Sequence, residues 1–152
     1  MKMKNRWIAL LVIGFVMLLG ACSGEAGERT FKLEEEGITS MVTYEHEGDE
    51  VIKHTTEVTM DYSALGLSSK EEAEEFFEAM GSSEKIDIEG VSHDITYKND
   101  TLSETLTIDF TEADVEDLKE IPGFGDDEDL ENGISLKESI KLIESQGYEE
   151  VE

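Results

Sequence analysis

The chain contains a single cysteine, Cys22, in 152 residues. Without a second thiol there is neither a disulfide framework nor a cysteine-ligated metal centre, so stability has to come from an ordinary apolar core. Proline is equally scarce, at one residue; together with alternating apolar segments this favours a folded domain over a disordered acidic chain. No apolar run reaches the roughly 20 residues an α-helix needs to cross hydrocarbon. Basic residues are few, with 12 Lys+Arg against 38 Asp+Glu. A charge balance this acidic repels polyanions and excludes a nucleic-acid partner. Also missing are a Gly-rich phosphate loop between a strand and a helix, a G-x-S-x-G nucleophile turn and an H-E-x-x-H zinc motif.

What the sequence does have begins at its N-terminus. Lys2, Lys4 and Arg6 precede the apolar stretch Trp7 to Gly20, too short for a membrane span and right for the core of a secretory signal. The stretch ends in Leu19-Gly20-Ala21-Cys22, which resembles the lipobox of bacterial lipoproteins. That resemblance implies cleavage after residue 21 and a diacylglyceryl group on the Cys22 thiol, with palmitate-type chains. At about 0.8 kcal/mol per buried CH2, two chains exceed the threshold for lasting attachment. The expected organisation is a signal peptide over 1–21, a lipidated cysteine and polar tether over 22–28, and one α+β domain over 29–152. Extended, a tether of that length reaches roughly 20 Å. The expected location is the extracytoplasmic face of the cell membrane. Ser23 is not the aspartate of an inner-membrane retention signal, and the Gly/Glu-rich tether favours a Gram-positive envelope.

Removing residues 1–21 takes away three basic residues and no acids, so the mature chain carries a formal charge of −29. Its apolar pattern alternates with period two over 29–33, 38–46 and 50–62, with Gly37 and Gly48-Asp49 between the runs, predicting a three-strand meander. A two-residue turn at Gly48-Asp49 puts Ile38, Val42 and Tyr44 on the opposite face from Ile52, Val58 and Met60; a bulge or an odd-length loop would restore agreement, and the bulge is the expectation. Ser69 with Glu72 reads as a capping box, and Ala73, Phe76, Phe77 and Met80 follow at helical spacing. A second hairpin over 91–110 turns at Asn99-Asp100 and shares one face between Val91, His93, Ile95, Tyr97 and Leu102, Leu106, Ile108, Phe110. A short helix follows Asp114 with Val115, Leu118 and Ile121 inward, and Ser135 caps a last helix ending at Gly147. The order βββαββαα, joined by hairpins, gives an α+β class with an antiparallel sheet of about five strands and helices on one face.

Three segments carry a family resemblance. Thr55-Thr56-Glu57 through Tyr62-Ser63-Ala64-Leu65-Gly66, then Gly90-Val91-Ser92-His93-Asp94-Ile95-Thr96-Tyr97, then Gly133-Ile134-Ser135-Leu136 to Gln146-Gly147-Tyr148, in this order, resemble the YehR-type lipoproteins. The resemblance spans nearly the whole mature domain. It implies a small envelope lipoprotein with an α+β domain and no catalytic residue to carry over; only the lipobox cysteine transfers, onto Cys22.

Chemistry-bearing candidates are few. With a bulged register His46 and His54 share a sheet face, where a carboxylate could complete a metal site; without the bulge they face opposite ways. His93 lies in the apolar phase of its strand, as a satisfied core or edge histidine does. Asp126-Asp127-Glu128-Asp129-Leu130-Glu131 is rich in hard oxygen ligands but lacks EF-hand spacing, so a solvated acidic loop is expected. No catalytic, cofactor or metal residue is assigned. The reading is a lipid-anchored, non-enzymatic interaction module with a basic protein or envelope component as partner; the alternative is a small-ligand or divalent-cation binder. Replacing Cys22 with Ala is expected to move the protein from the membrane fraction to the soluble fraction, as fractionation and immunoblotting would show; undiminished membrane retention would refute the anchor.

Overall fold

The computed structural model describes residues 24–81, 86–119, 121 and 133–151. Six strands form one sheet in the order β4-β5-β3-β2-β1-β6, with every neighbouring pair antiparallel. They are β1 (Ala26–Glu35), β2 (Ile38–Glu47), β3 (Glu50–Asp61), β4 (Val91–Tyr97), β5 (Thr101–Asp109) and β6 (Glu149–Val151). Among the described residues three helices, α1 (Lys70–Ala79), α2 (Val115–Leu118) and α3 (Leu136–Ser145), accompany them, with a 3-10 turn at Tyr62–Leu65.

The meander is as expected, and so is its bulge. Glu45 pairs with Lys53 but His46 pairs with Val51, leaving Ile52 as the extra residue. Its carbonyl accepts the Phe110 N–H at 2.9 Å, so the break in one ladder is used to lengthen another. Beyond the bulge Ser40, Val42 and Tyr44 lie opposite Val58, Thr56 and His54 on the helix-facing side. The second hairpin has the register its Asn99-Asp100 turn predicts, with Tyr97 opposite Leu102 and Val91 opposite Ile108.

All three helices bury their apolar stripes on that one side. α3 lays Leu136, Ile140 and Ile143 on Phe31, Val42, Tyr44 and Val51. α1 places Ala73 and Phe77 on Tyr62 and Leu102. Leu118 of α2, with Ile121, closes over Ile108. The helix starts are capped by the residues the sequence singles out. Ser69 Oγ accepts the Glu72 N–H, and Glu72 accepts in return from Ser68, one residue earlier than a standard capping box. Asp114 accepts from the Glu116 N–H, and Ser135 from Glu138. α3 ends in a Schellman motif, the Tyr148 N–H reaching the Ile143 carbonyl past Gly147 at φ +97°.

Two sequence expectations need correction. The sheet has six strands, not about five. The sixth is only three residues long with no alternation to reveal it, and it is held by its partners: it pairs with Thr30–Lys32 of β1, and Arg29 grips Glu150 through two hydrogen bonds of 2.6 Å. That fork holds the Arg29 charge more firmly and lowers the Glu150 pKa. Second, β1 begins at Ala26, so the end of the expected tether is strand. Ala26 and Gly27 pair with Glu47 and His46 because β2 is long enough to template them.

The turn at Gly48-Asp49 also fixes α3. Asp49 accepts from the Lys137 N–H and the Ser135 hydroxyl, both at 2.9 Å, while its carbonyl accepts the Leu136 N–H at 2.7 Å. These donors, the Lys137 N–H foremost, lower the Asp49 pKa. Ser135 thus joins hairpin to helix, and Ser135→Ala is expected to cost about 1 kcal/mol, read as a lowered urea midpoint with an unchanged slope.

Candidate functional site

Strand pairing assigns each side chain to one of two faces, and the faces differ in chemistry. On the helix-facing side a polar strip crosses the middle of the sheet between the clusters of α3 and α1. Thr56, Leu106 and His93 form one cross-strand row, and Ser40, Val58 and Glu104 the next. Ser40, itself buried, shares a 2.8 Å hydrogen bond with the Tyr148 hydroxyl. His93 Nε2 meets Glu104 Oε1 at 2.7 Å, with the His93 side chain 12% and the Glu104 side chain 34% exposed. This is the satisfied histidine the sequence predicts.

The bulge does bring His46 and His54 to one face, but each is engaged separately. His46 Nδ1 lies 3.0 Å from the Gly48 carbonyl, and its ring covers Gly27, where a Cβ would come within 2.9 Å of Nε2. His54 stacks on Tyr44 with ring centroids 5.2 Å apart and contacts Thr56 Oγ1 through Nε2 at 3.1 Å. Among the described residues no three His, Cys, Asp or Glu side chains are grouped to hold a metal ion. Cys22 and the acidic stretch Asp126–Glu131 lie outside the described residues.

Burial lowers the His54 pKa to about 4 and raises that of Tyr44 to about 12. A cavity of ≈190 Å³ between α2, the start of β3 and the segment leading into α3 is lined by Val51, Phe110, Leu118 and Ile134, with Glu50 the one charged group among the described residues that line it. It is smaller than the roughly 300–1,000 Å³ of typical ligand sites and has no convergent set of polar groups.

Among the described residues the opposite face carries no helix, and none of its strand side chains is buried. Its central row runs Thr30, Thr43, Thr55, Thr107 and Ser92 across five strands. A second row runs through Thr39, Thr59, Ser103 and Thr96. Hydroxyl pairs bridge adjacent strands at Thr30–Thr43 (3.0 Å), Thr55–Thr107 (3.2 Å) and Thr59–Ser103 (3.3 Å). Lys32 and Lys53 are paired with acids, to Glu34 and to Glu45 and Asp109. Glu57 and Asp94, in the row between the hydroxyls, have no cationic partner among the described residues. None of the three histidine candidates lies on this face. Its signal is present, because in β2, β3 and β5 threonines occupy the phase opposite the apolar residues.

The fold is thus that of an α+β domain with one helix-covered and one open face. Residues 28–149 match the family described as a protein of unknown function, DUF1307, and the chain belongs to that family. An uncharacterized lipoprotein of Listeria innocua is 42% identical over 99% of this chain and 97% of its own length. The uncharacterized lipoprotein YehR of Escherichia coli is 28% identical over 99% of both. The solution structure of E. coli YehR superposes with a TM-score of 0.67 at 26% identity, covering 84% of this chain and 92% of that one. A Streptococcus pneumoniae protein shares the fold, with a TM-score of 0.53 at 14% identity over 99% and 97% of the two chains. The resemblance to YehR-type lipoproteins is thereby established. Among the described residues no helix is long and apolar enough to cross a membrane.

His54 gives a pH signature. Its folded pKa lies below its unfolded value near 6.5, so its neutral burial contributes fully above that pH. The contribution falls as pH drops through the window from about 6.5 to 4, at up to roughly 1.4 kcal/mol per pH unit. Because glutamate protonation also relieves charge repulsion, the expected result is a difference: His54→Gln removes this proton uptake, visible in denaturant unfolding of variant and wild type compared across the window.

Proposed function

We propose that this lipoprotein is a non-enzymatic interaction module, anchored through a diacylglyceryl Cys22 on the extracytoplasmic face of the membrane, whose open sheet face engages a basic protein or envelope component. The observation that carries the reading is that face itself: its central hydroxyl row is five strands wide, it is uncovered among the described residues, and its lysines are already paired so that the remaining charge is acidic. A surface of this kind selects a basic partner by complementarity and repels acidic ones. The lipobox and the lipoprotein relatives support the anchor, and the Gly/Glu-rich segment after Cys22 supports a Gram-positive envelope.

The test is site-specific photo-cross-linking in intact cells, with the reactive residue at Thr55 on the open face or at Lys141 on the exposed side of α3. A discrete adduct from Thr55, lost when Glu57 and Asp94 are both changed to Lys, is the expected result. Adducts only from Lys141 would refute it. The alternative, a divalent-cation binder, predicts instead a saturable rise in unfolding temperature with one of Ca2+, Mg2+ or Zn2+ at constant ionic strength.

A further inference from the structure

The chain just after the lipidation cysteine is packed against the sheet. Gly24 crosses Gly48 backbone to backbone: a Cβ built on Gly24 would lie 2.1 Å from the Gly48 Cα, and one on Gly48 would lie 3.0 Å from the Gly24 Cα. The Gly48 N–H donates to the Glu25 carbonyl at 3.2 Å, and Gly48 has a φ of +66°. Both glycines are needed: any side chain at 24 collides with backbone, and at 48 the left-handed conformation disfavours one as well. From Gly24 back to Cys22 is two residues, which extended span about 7 Å at roughly 3.5 Å each. The free length is therefore about a third of the roughly 20 Å that a tether over 22–28 would allow.

The Gly48 turn also marks one end of the sheet. Glu47, Asp49, Glu50 and the first turn of α3 are at this end. The Gly37 turn between β1 and β2 and the Asn99-Asp100 turn are at the other. β2 alone, ten residues long, separates the ends by about 30 Å at roughly 3.3 Å per residue.

We propose that the protein stands end-on to the bilayer, with the Gly48 turn and the N-terminus of α3 against the lipid headgroups and the Gly37 and Asn99-Asp100 turns farthest out. The occupant of the Gly48 end is then the membrane, and the open hydroxyl face is presented sideways to partners. The inference rests on lipidation of Cys22.

Full-length lipidated protein reconstituted into phosphatidylcholine vesicles containing a headgroup spin-labelled lipid tests it. The native thiol is blocked by lipid, so Glu47→Cys or Glu36→Cys supplies one labelling site for a fluorophore, and uncharged lipid separates tether geometry from charge. The expected result is quenching at position 47 at least roughly threefold stronger than at 36, given the ~30 Å between the ends. Inserting six Gly/Ser residues between 23 and 24 should erase most of that contrast. Equal quenching at the two sites on vesicle-bound protein, or contrast that survives the insertion, overturns the end-on arrangement. Protein that fails to float with vesicles overturns the anchor itself, a separate and directly visible outcome.

Discussion

Five residues, Gly48 to Ile52, set the constraint on which the rest of this structure depends. A two-residue turn between β2 and β3 requires an odd residue somewhere if the apolar side chains of both strands are to share a face, because side chains alternate with period two. Ile52 is that residue. Placing it immediately after the turn leaves the long central part of both strands in correct register, so Phe31, Val42 and Tyr44 meet α3 as one surface. The same turn supplies Asp49 to the start of α3 and Gly48 to the entering N-terminal chain. Sheet register, helix position and N-terminal docking are therefore not independent. A change in turn length would disturb all three.

The excess of acids is accommodated partly by using them as acceptors. Asp49 sits at the N-terminus of α3, Asp114 at that of α2, and Glu72 in the first turn of α1, positions where unpaired N–H groups and the helix dipole favour negative charge. Asp109 accepts from the Thr111 hydroxyl and backbone N–H, with the hydroxyl the main cause of its lowered pKa. Each such acid is a structural partner with its charge held close to donors. None of the three helices has a basic residue in its last turn, so the favourable dipole contacts are gathered at the N-termini. Among the described residues the acids without a cationic partner include Glu57 and Asp94, and their position in the middle of the open face is what would give that face its proposed preference for a basic partner.

Most of the fold could be read from the sequence because its strongest signals are local. Periodicity gave the five longer strands, capping boxes gave α1 and α3, and the Asn99-Asp100 turn gave the register of β4 and β5. The bulge could be inferred because the apolar phases of β2 and β3 conflict without it. The rest depended on tertiary partners. Glu149-Glu150-Val151 has no strand signature of its own and pairs because Arg29 and the edge of β1 are waiting for it. Ser23 to Glu28 reads as a polar tether by composition, yet Gly24 makes a close backbone crossing that only the folded turn at Gly48 reveals. Of the candidate site residues, the pairing of His93 was legible in type but not in partner. The separate engagement of His46 and His54 is set by the folded geometry, because sharing a face does not place two rings at a common point.

The two faces divide labour by chemistry. On the helix side, Ser40, Thr56, His93 and Glu104 are matched to partners, so burial of polar groups is compensated and the domain gains a defined geometry. On the open side, threonines supply the branched shape that suits a pleated surface, and their hydroxyls bond one another across strands. Met41 and Val151 are the apolar side chains that register places among these hydroxyls, and on the proposed reading selectivity falls to the few acids between the hydroxyl rows. Electrostatic selection of this kind sets encounter rate and partner choice more than affinity. In the proposed interaction, confinement to a membrane would compensate for weak affinity, because a partner in the same envelope layer would meet the face at a high effective concentration. The proposed end-on arrangement would strengthen the effect by keeping the face turned toward neighbours in that layer.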